Sequence, residues 1–186
     1  CGIDDTPVTT MATVALGSGV PVLVAPAMHG AMFNNPMLTE NMERLRRAGV
    51  EFIGPRFEGG KAKMAGREEI VHAVIRRLSE GVMRGRRVLV IGGSSAESID
   101  DMRIVTNRGT GETAVELAKA AYHEGAEVEL WMGRCSVPLP SFIPTRRFER
   151  LSELEAMVPG IDHDLVMVPA ALSDFTFDHR EGKLPS

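Results

Sequence analysis

Residues 92–111, GGSSAESIDDMRIVTNRGTG, hold two glycine clusters, two adjacent serines, an arginine and an asparagine. They connect an apolar run, RRVLVIGG, to a helical pattern, GETAVELAKAAYHEGA. A dinucleotide-binding turn makes that passage in about six residues, and this one is roughly three times as long. Gly92, Gly93, Ser94 and Ser95 offer backbone and hydroxyl donors to a phosphate. Arg103 supplies a planar fork for a carboxylate or phosphate, and Asn107, four residues on, both donates and accepts. A further cluster lies at VPAALSDF (168–175) and the following DHREGKLPS. There the small Ala170 and Ala171 leave room for a planar ligand, Asp174 is an acceptor, and Lys183 is a point charge for phosphate. Taken singly, each reads as readily as a turn or a solvated loop. Their convergence points to a site, because ligands of open α/β sheets bind beyond the carboxyl ends of the strands.

A separate constellation occurs earlier, in VLVAPAMHGAMFNNP. Met28, Met32 and Phe33 would form an apolar surface suited to a flat ring, with His29 between them, although a methionine-rich core turn has the same composition. EGGKAKMAG (58–66) reads as a mobile loop whose two lysines suit an anionic ligand or simply solvent. The five histidines are scattered and the two cysteines, Cys1 and Cys135, lie far apart, so no metal-ligand spacing emerges. A Ser-His-Asp assignment would be arbitrary.

The elements that must position these residues follow from periodicity. TPVTTMATVAL, TENMERLRRAGV and REEIVHAVIRRLSEGV have helical spacing. Thr39 is expected to cap the second of these and Gly49 to end it, while Ile70, Val74 and Leu78 form the buried stripe of the third. VPVLVAPAM and VEFIGP read as strands. A new unit begins after GVMRGRR: RRVLVIGG, EVELWMG and HDLVMVPAAL are strands, and GETAVELAKAAYHEGA and LSELEAMVPG are helices. Strands alternating with helices imply α/β architecture, two Rossmann-like three-layer units with mostly parallel sheets, residues 1–83 and 84–186. The chain opens on Cys in a loop-like stretch, so the first unit is expected to lack its N-terminal part and the second its C-terminal part.

Composition restricts the class further. Of 186 residues, 44% are hydrophobic and 25% charged, ordinary values for a globular chain. The net charge of −4 gives no general attraction to nucleic acid or an anionic membrane. No apolar stretch approaches the ~20 residues of a membrane span. With only two cysteines among 11 methionines, a reducing, cytoplasmic setting is expected.

Together these motifs resemble the bifunctional phosphopantothenoylcysteine decarboxylase/phosphopantothenate–cysteine ligase family of coenzyme A biosynthesis, over essentially the whole chain. PAMHGAMFNNP is similar to the family's PAMNxxMWxNP, and GIDDTPVTT to GxADxLxxT. GGSSAESIDDMRIVTNRGTG resembles the ligase pattern GGTxExIDxVRxItNxSSG, and VPAALSDF…EGKLPS resembles AAVADY…EKIKK. The resemblance implies a C-terminal portion of a flavoprotein domain followed by an N-terminal portion of a ligase domain. It implies that CTP, with Mg2+, activates 4′-phosphopantothenate to an acyl-cytidylate from which cysteine displaces CMP. FMN-dependent decarboxylation of the product would follow.

Carried onto this sequence, Asn107 would bind the acyl-cytidylate, Arg103 support cysteine transfer, and Lys183 stabilise nucleotide phosphate charge. Gly92, Gly93, Ser94, Ala170, Ala171 and Asp174 would line the nucleotide pocket. Gly2, Asp4, Asp5, Met28, His29 and Met32 would lie on the flavin and decarboxylase-substrate side. The expected partners are small molecules and further copies of the chain in a homo-oligomer, with no nucleic acid and no membrane, and the chain by itself is expected to be inactive.

The sequence departs from the pattern at identifiable places: His29 stands where the motif has Asn, NRGTG where it has NxSSG, and EGGKAKMAG lacks the family's clamp cysteine. The choice between CTP and ATP stays open, as does a non-catalytic flavin- or nucleotide-binding module. A Rossmann oxidoreductase fits less well, since no compact GxGxxG opens the helix and no acid ends EVELWMG.

Overall fold

The computed structural model describes residues 4–177 and residue 182. The chain divides into two compact units, residues 1–78 and 79–186.

The first unit opens with helix α1 (Pro7–Gly17). Thr6 caps it: its Oγ1 accepts from the Thr9 N–H, Thr9 Oγ1 accepts from the Thr6 N–H, and Pro7 presets the first turn. Strand β1 (Leu23–Val24) is followed by β2 (Met28–His29), the short α2 (Gly30–Phe33), α3 (Pro36–Arg47) and β3 (Glu51–Phe52), and β1 pairs in parallel with β3. The cap of α3 is Asn35, not the expected Thr39; the Asn35 side chain accepts from the Met37 N–H. Pro36 moves the start forward, because a residue without an N–H fits the first helical position. Gly49, at φ 92°, ends the run as expected.

EGGKAKMAG is not a loop. Residues β4 (Arg56–Glu58) and β5 (Lys61–Lys63) form an antiparallel hairpin, and Gly59 and Gly60 turn it at φ 56° and 71°. A two-residue turn with both φ values positive matches strand twist, and glycine reaches it without strain. β5 also pairs with β2, so the sheet order is β2-β5-β4. A Cβ on Gly30 would sit 2.2 Å from the Gly60 carbonyl oxygen, so the turn meets the start of α2 only through glycine. In α4 (Arg67–Leu78) the buried residue is Ala73, and Ile70 packs on the cluster of Ile53, Ala65 and Ala73. Val74 and Leu78, expected in the stripe, are exposed. Two alanines make up most of that cluster, and the stripe follows them.

In the second unit, β6 (Arg87–Gly92) leads into a hairpin of β7 (Ala96–Ser98) and β8 (Ile104–Thr106), inside what reads from sequence as one long loop. Then come α5 (Glu112–His123), β9 (Glu127–Met132), β10 (Thr145–Arg147), α6 (Leu151–Met157) and β11 (Leu165–Met167). Strands β10, β9, β6 and β11, in that order, form a wholly parallel sheet. Val88 and Val90 of β6, with Val128, Leu130 and Met132 of β9, pack with Ala114, Val115, Ala118 and Ala121 of α5. Leu89 and Ile91, with Trp131, pack instead with Phe148 and Leu154. The alternation explains why β6 is apolar throughout: it is buried on both faces.

At the start of β6 the Arg87 N–H donates to Asp164 Oδ2 and its Nη1 to Asp162 Oδ2, each at 2.7 Å. The hydrogen bond and charge of Arg87 hold the Asp162 carboxyl below its usual pKa. Among the described residues no helix is long and apolar enough to cross a membrane.

Gly30→Ala is expected to destabilise the docked hairpin by about 1–3 kcal/mol, since the new methyl group must displace backbone rather than a side chain. Amide hydrogen exchange over residues 56–63 reads this directly; unchanged protection would show that the hairpin does not rest on α2.

Candidate functional site

From β6 the chain runs outward to β9 and β10, then returns to the other flank of β6 as β11. The carboxyl ends of β6 and β11 therefore border the place where the connections diverge, which is where ligands of such sheets bind. Gly92 ends β6 there, and a Cβ on it would lie 2.0 Å from the Ala114 Cβ, so glycine is what lets α5 approach. The loop then weaves between neighbours. Ser94 exchanges two backbone hydrogen bonds with Arg134, its N–H donating at 2.9 Å and its carbonyl accepting at 2.8 Å. The Ala171 N–H donates to the Gly93 carbonyl at 2.9 Å, and the Ser173 N–H donates to Ser95 Oγ at 2.8 Å.

Asn107 joins the same network. Its Nδ2 donates to the Ala171 and Leu172 carbonyls at 3.1 and 3.2 Å, while Thr106 Oγ1 donates to the Ser95 carbonyl at 2.7 Å. The structure thus brings Asn107, the Gly92–Ser95 stretch and the Ala170–Ala171 segment together. Ser94 Oγ is fully buried and, among the described residues, has no hydrogen-bond partner. A Cβ on Gly109 would come within 2.7 Å of it. Beside it begins α5, whose N-cap Gly111 contributes no side-chain cap. An orphan hydroxyl beside a helix N-terminus is an arrangement that suits an anion.

Arg103 lies elsewhere. The spacing of four residues from Asn107 would join the two on a helix, but β8 lies between them and carries them roughly 13 Å apart. Arg103 Nε and Nη2 donate to Oδ2 of Asp100 at 2.9 and 2.6 Å. Oδ1 of Asp100 accepts from the Met102 and Arg103 N–H groups at 2.9 and 2.7 Å. Asp100 is buried, and these four bonds make it the organiser of the hairpin turn. Asp174 is exposed, and Ala170 packs on the Leu89–Ile91 cluster. The Gly182 N–H donates to Asp101 Oδ2 at 2.7 Å; Lys183 lies outside the described residues.

In the first unit, Met28 and His29 of β2 stand opposite Ala62 and Lys61 of β5. His29 is exposed, and its Nδ1 accepts from the Ala31 N–H at 3.3 Å, capping α2. Met32 is exposed, and Phe33 meets the exposed Phe57 edge-on, with ring centroids 5.0 Å apart. This surface of thioether and aromatic edges fits a flat ring. Lys63 Nζ donates to Glu58 Oε2 at 2.8 Å, which holds the Glu58 carboxyl below its usual pKa. Asp4 accepts from Thr10 Oγ1 at 2.6 Å, Asp5 is exposed, and Gly2 lies outside the described residues.

Residues 1–79 match the family model for Flavoprotein, and residues 83–184 that for the DNA/pantothenate metabolism flavoprotein C-terminal domain. The chain belongs to the DNA/pantothenate metabolism flavoprotein family. Among its relatives is the coenzyme A biosynthesis bifunctional protein CoaBC of Thermococcus kodakarensis, 46% identical over 97% of this chain and 45% of that protein. The protein of the same name from Methanocaldococcus jannaschii is 35% identical over 100% of this chain and 46% of its own length. The chain spans about half the length of these curated relatives. A crystal structure of the C-terminal domain of CoaBC superposes with a TM-score of 0.47 at 28% identity, covering 53% of each chain.

Two residues that hold this sheet edge together, Thr106 and Asp100, are not marked by any motif, and only the three-residue spacing of Asp100 and Arg103 hints at their pairing. Ser95, expected to donate to a phosphate, accepts instead from the Ser173 N–H. Arg103→Gln removes the counter-charge of a buried carboxylate and is expected to lower stability by about 1–3 kcal/mol. Chemical denaturation of the variant checks this. An unchanged midpoint would mean that the backbone N–H groups alone satisfy Asp100.

Proposed function

We propose that this chain contributes to two steps of coenzyme A biosynthesis, CTP-dependent ligation of 4′-phosphopantothenate to cysteine and FMN-dependent decarboxylation of 4′-phosphopantothenoylcysteine. The observation that supports the ligase reading most is the buried Ser94 hydroxyl, without a hydrogen-bond partner among the described residues, at the sheet's diverging point beside the N-terminus of α5. There the Gly92–Ser94 backbone and the helix dipole would receive the nucleotide phosphates, whose Mg2+ would be held mainly by phosphate oxygens. Ala170 and Ala171 would lie along the nucleoside, with Asp174 at its edge. The substrate carboxylate attacks the α-phosphorus and pyrophosphate leaves; the cysteine amine then attacks the acyl carbon and CMP leaves. Oriented donors stabilise the charge that builds in both steps.

Asn107 would act at the acyl-cytidylate through its carbonyl oxygen, because its amide group is occupied by the Ala171 and Leu172 carbonyls. Arg103 would support the site through Asp100 and the hairpin, and Lys183 would approach the phosphates. In the first unit Met28, His29 and Met32 would face FMN, which supplies the electron sink for decarboxylation when bound. His29 would orient the substrate on the exposed side of β2.

In the full-length protein, pyrophosphate release from CTP should require 4′-phosphopantothenate. Asn107→Asp should lower ligation by about two orders of magnitude, because a carboxylate there loses the donors to the Ala171 and Leu172 carbonyls and places a negative charge beside an acyl phosphate. Nucleotide binding without pyrophosphate release would favour the non-catalytic module.

A further inference from the structure

A cleft of about 350 Å³ opens beyond the carboxyl ends of β9 and β10, lined by Arg134, Arg147, Phe148, Glu149 and Glu153. Its charges balance, two guanidinium groups against two carboxylates. A phosphate there would meet both carboxylates and a simple cation both guanidinium groups, so either would be opposed by like charge. A ligand carrying one charge of each sign has no such conflict.

The groups are available to it. Arg134 Nη1 and Glu149 Oε1 are 3.7 Å apart, and both side chains are more than half exposed. Such a pair contributes little and exchanges partners readily. Arg147 Nη1 donates to Cys135 Sγ at 3.2 Å, a weak acceptor that a carboxylate would displace. One carboxylate oxygen of Glu153 accepts from the Glu149 N–H at 2.8 Å, which fixes the acidic side of the cleft. Phe148 is 4% exposed and forms an apolar floor. The cleft also adjoins the site already described: Arg134 exchanges its backbone hydrogen bonds with Ser94, and a Cβ on Gly111, the N-cap of α5, would lie 2.8 Å from the Cys135 Cβ.

We propose that this cleft binds the free α-amino acid that the ligation consumes, its carboxylate held by Arg134 and Arg147 and its ammonium group by Glu149 and Glu153. This assignment rests on the ligase reading for the identity of the amino acid, cysteine, but not for the class of ligand. The arginine pair fixes the carboxylate end in a planar geometry and leaves the ammonium group beside Glu149 and Glu153, to which it would pass the proton it must lose before attack. Phe148 receives the short side chain.

The test uses the full-length protein with L-cysteine as the probe, by equilibrium dialysis and by steady-state ligation. Arg147→Gln should weaken L-cysteine binding and raise its KM by about tenfold to a hundredfold, the loss of a charge-assisted hydrogen bond, while the KM for CTP stays put. Arg147→Lys should recover part of the loss, since it restores charge without the fork. Glu149→Gln should weaken L-cysteine binding but not that of 3-mercaptopropionate, which has no ammonium group. Unchanged L-cysteine binding in both Arg147→Gln and Glu149→Gln, with circular dichroism showing each variant folded, would overturn the proposal. So would a rise in the KM for CTP in place of that for cysteine. If the wild-type protein releases no pyrophosphate yet binds L-cysteine through Arg147, the ligase reading fails and the amino-acid site stands.

Discussion

The burial of β6 on both faces is the constraint from which the rest of the second unit follows. A strand with neighbours on either side and helices above and below has no free backbone edge, so its chain can change direction only past its end. That end is Gly92, and the space a side chain would take there is occupied by Ala114. The helix must therefore pack close, which brings its N-terminus beside Ser94 instead of a full side-chain layer away. Close packing and site construction are one event here: the contact that fills the core also aims the helix dipole.

The same constraint shapes the connection after β6. A passage of this length could be a floppy loop, yet it is held at several points by backbone hydrogen bonds that the sheet ends leave available. Ser94 pairs with Arg134, Ser95 with Ala171 and Ser173, and Ala96 donates to the Glu149 carbonyl. Glu97, buried beside them, accepts from the Leu151 N–H and so ties β7 to the start of α6. The buried polar groups of the loop are thus mostly satisfied by neighbouring strand ends. Among the described residues of this loop, Ser94 Oγ is the buried side-chain atom left without a hydrogen-bond partner.

What could be read from sequence follows the same division. Strands β6 and β9 and helix α5 are legible, since apolar residues recur at the period each element requires and burial on both faces makes β6 continuous. The two hairpins are not. β4, β5, β7 and β8 are three residues long, too short for a period of two to declare itself, and charged residues dominate β4 and β5. β10, Thr-Arg-Arg, is a strand only because Trp131 and its neighbours offer it an edge. Arg103 and Asn107 illustrate the consequence: their types are informative, but their spacing cannot be interpreted until β8 is known. Asn107 ends among the Ala171–Leu172 carbonyls and Arg103 on Asp100, at the two ends of one short strand.

Electrostatics then distinguishes the two ends of the site without any help from net charge. The glycine-rich end presents N–H groups, a helix dipole and a hydroxyl, all partial charges of fixed direction that favour an anion without displacing a cation already paired there. The cleft beyond β9 and β10 presents whole charges of both signs, whose sum is zero. A chain with a net charge of −4 gains nothing by general attraction of anions, so selection must come from where these groups point. That places the burden on backbone geometry, and the backbone there is positioned by Gly92, Ser94 and Arg134. A displacement of any one of them would shift the glycine-rich end and the cleft beyond β9 and β10 relative to each other. Their backbone hydrogen bonds, more than any single side chain, therefore set the relative placement of the two sets of groups at this sheet edge.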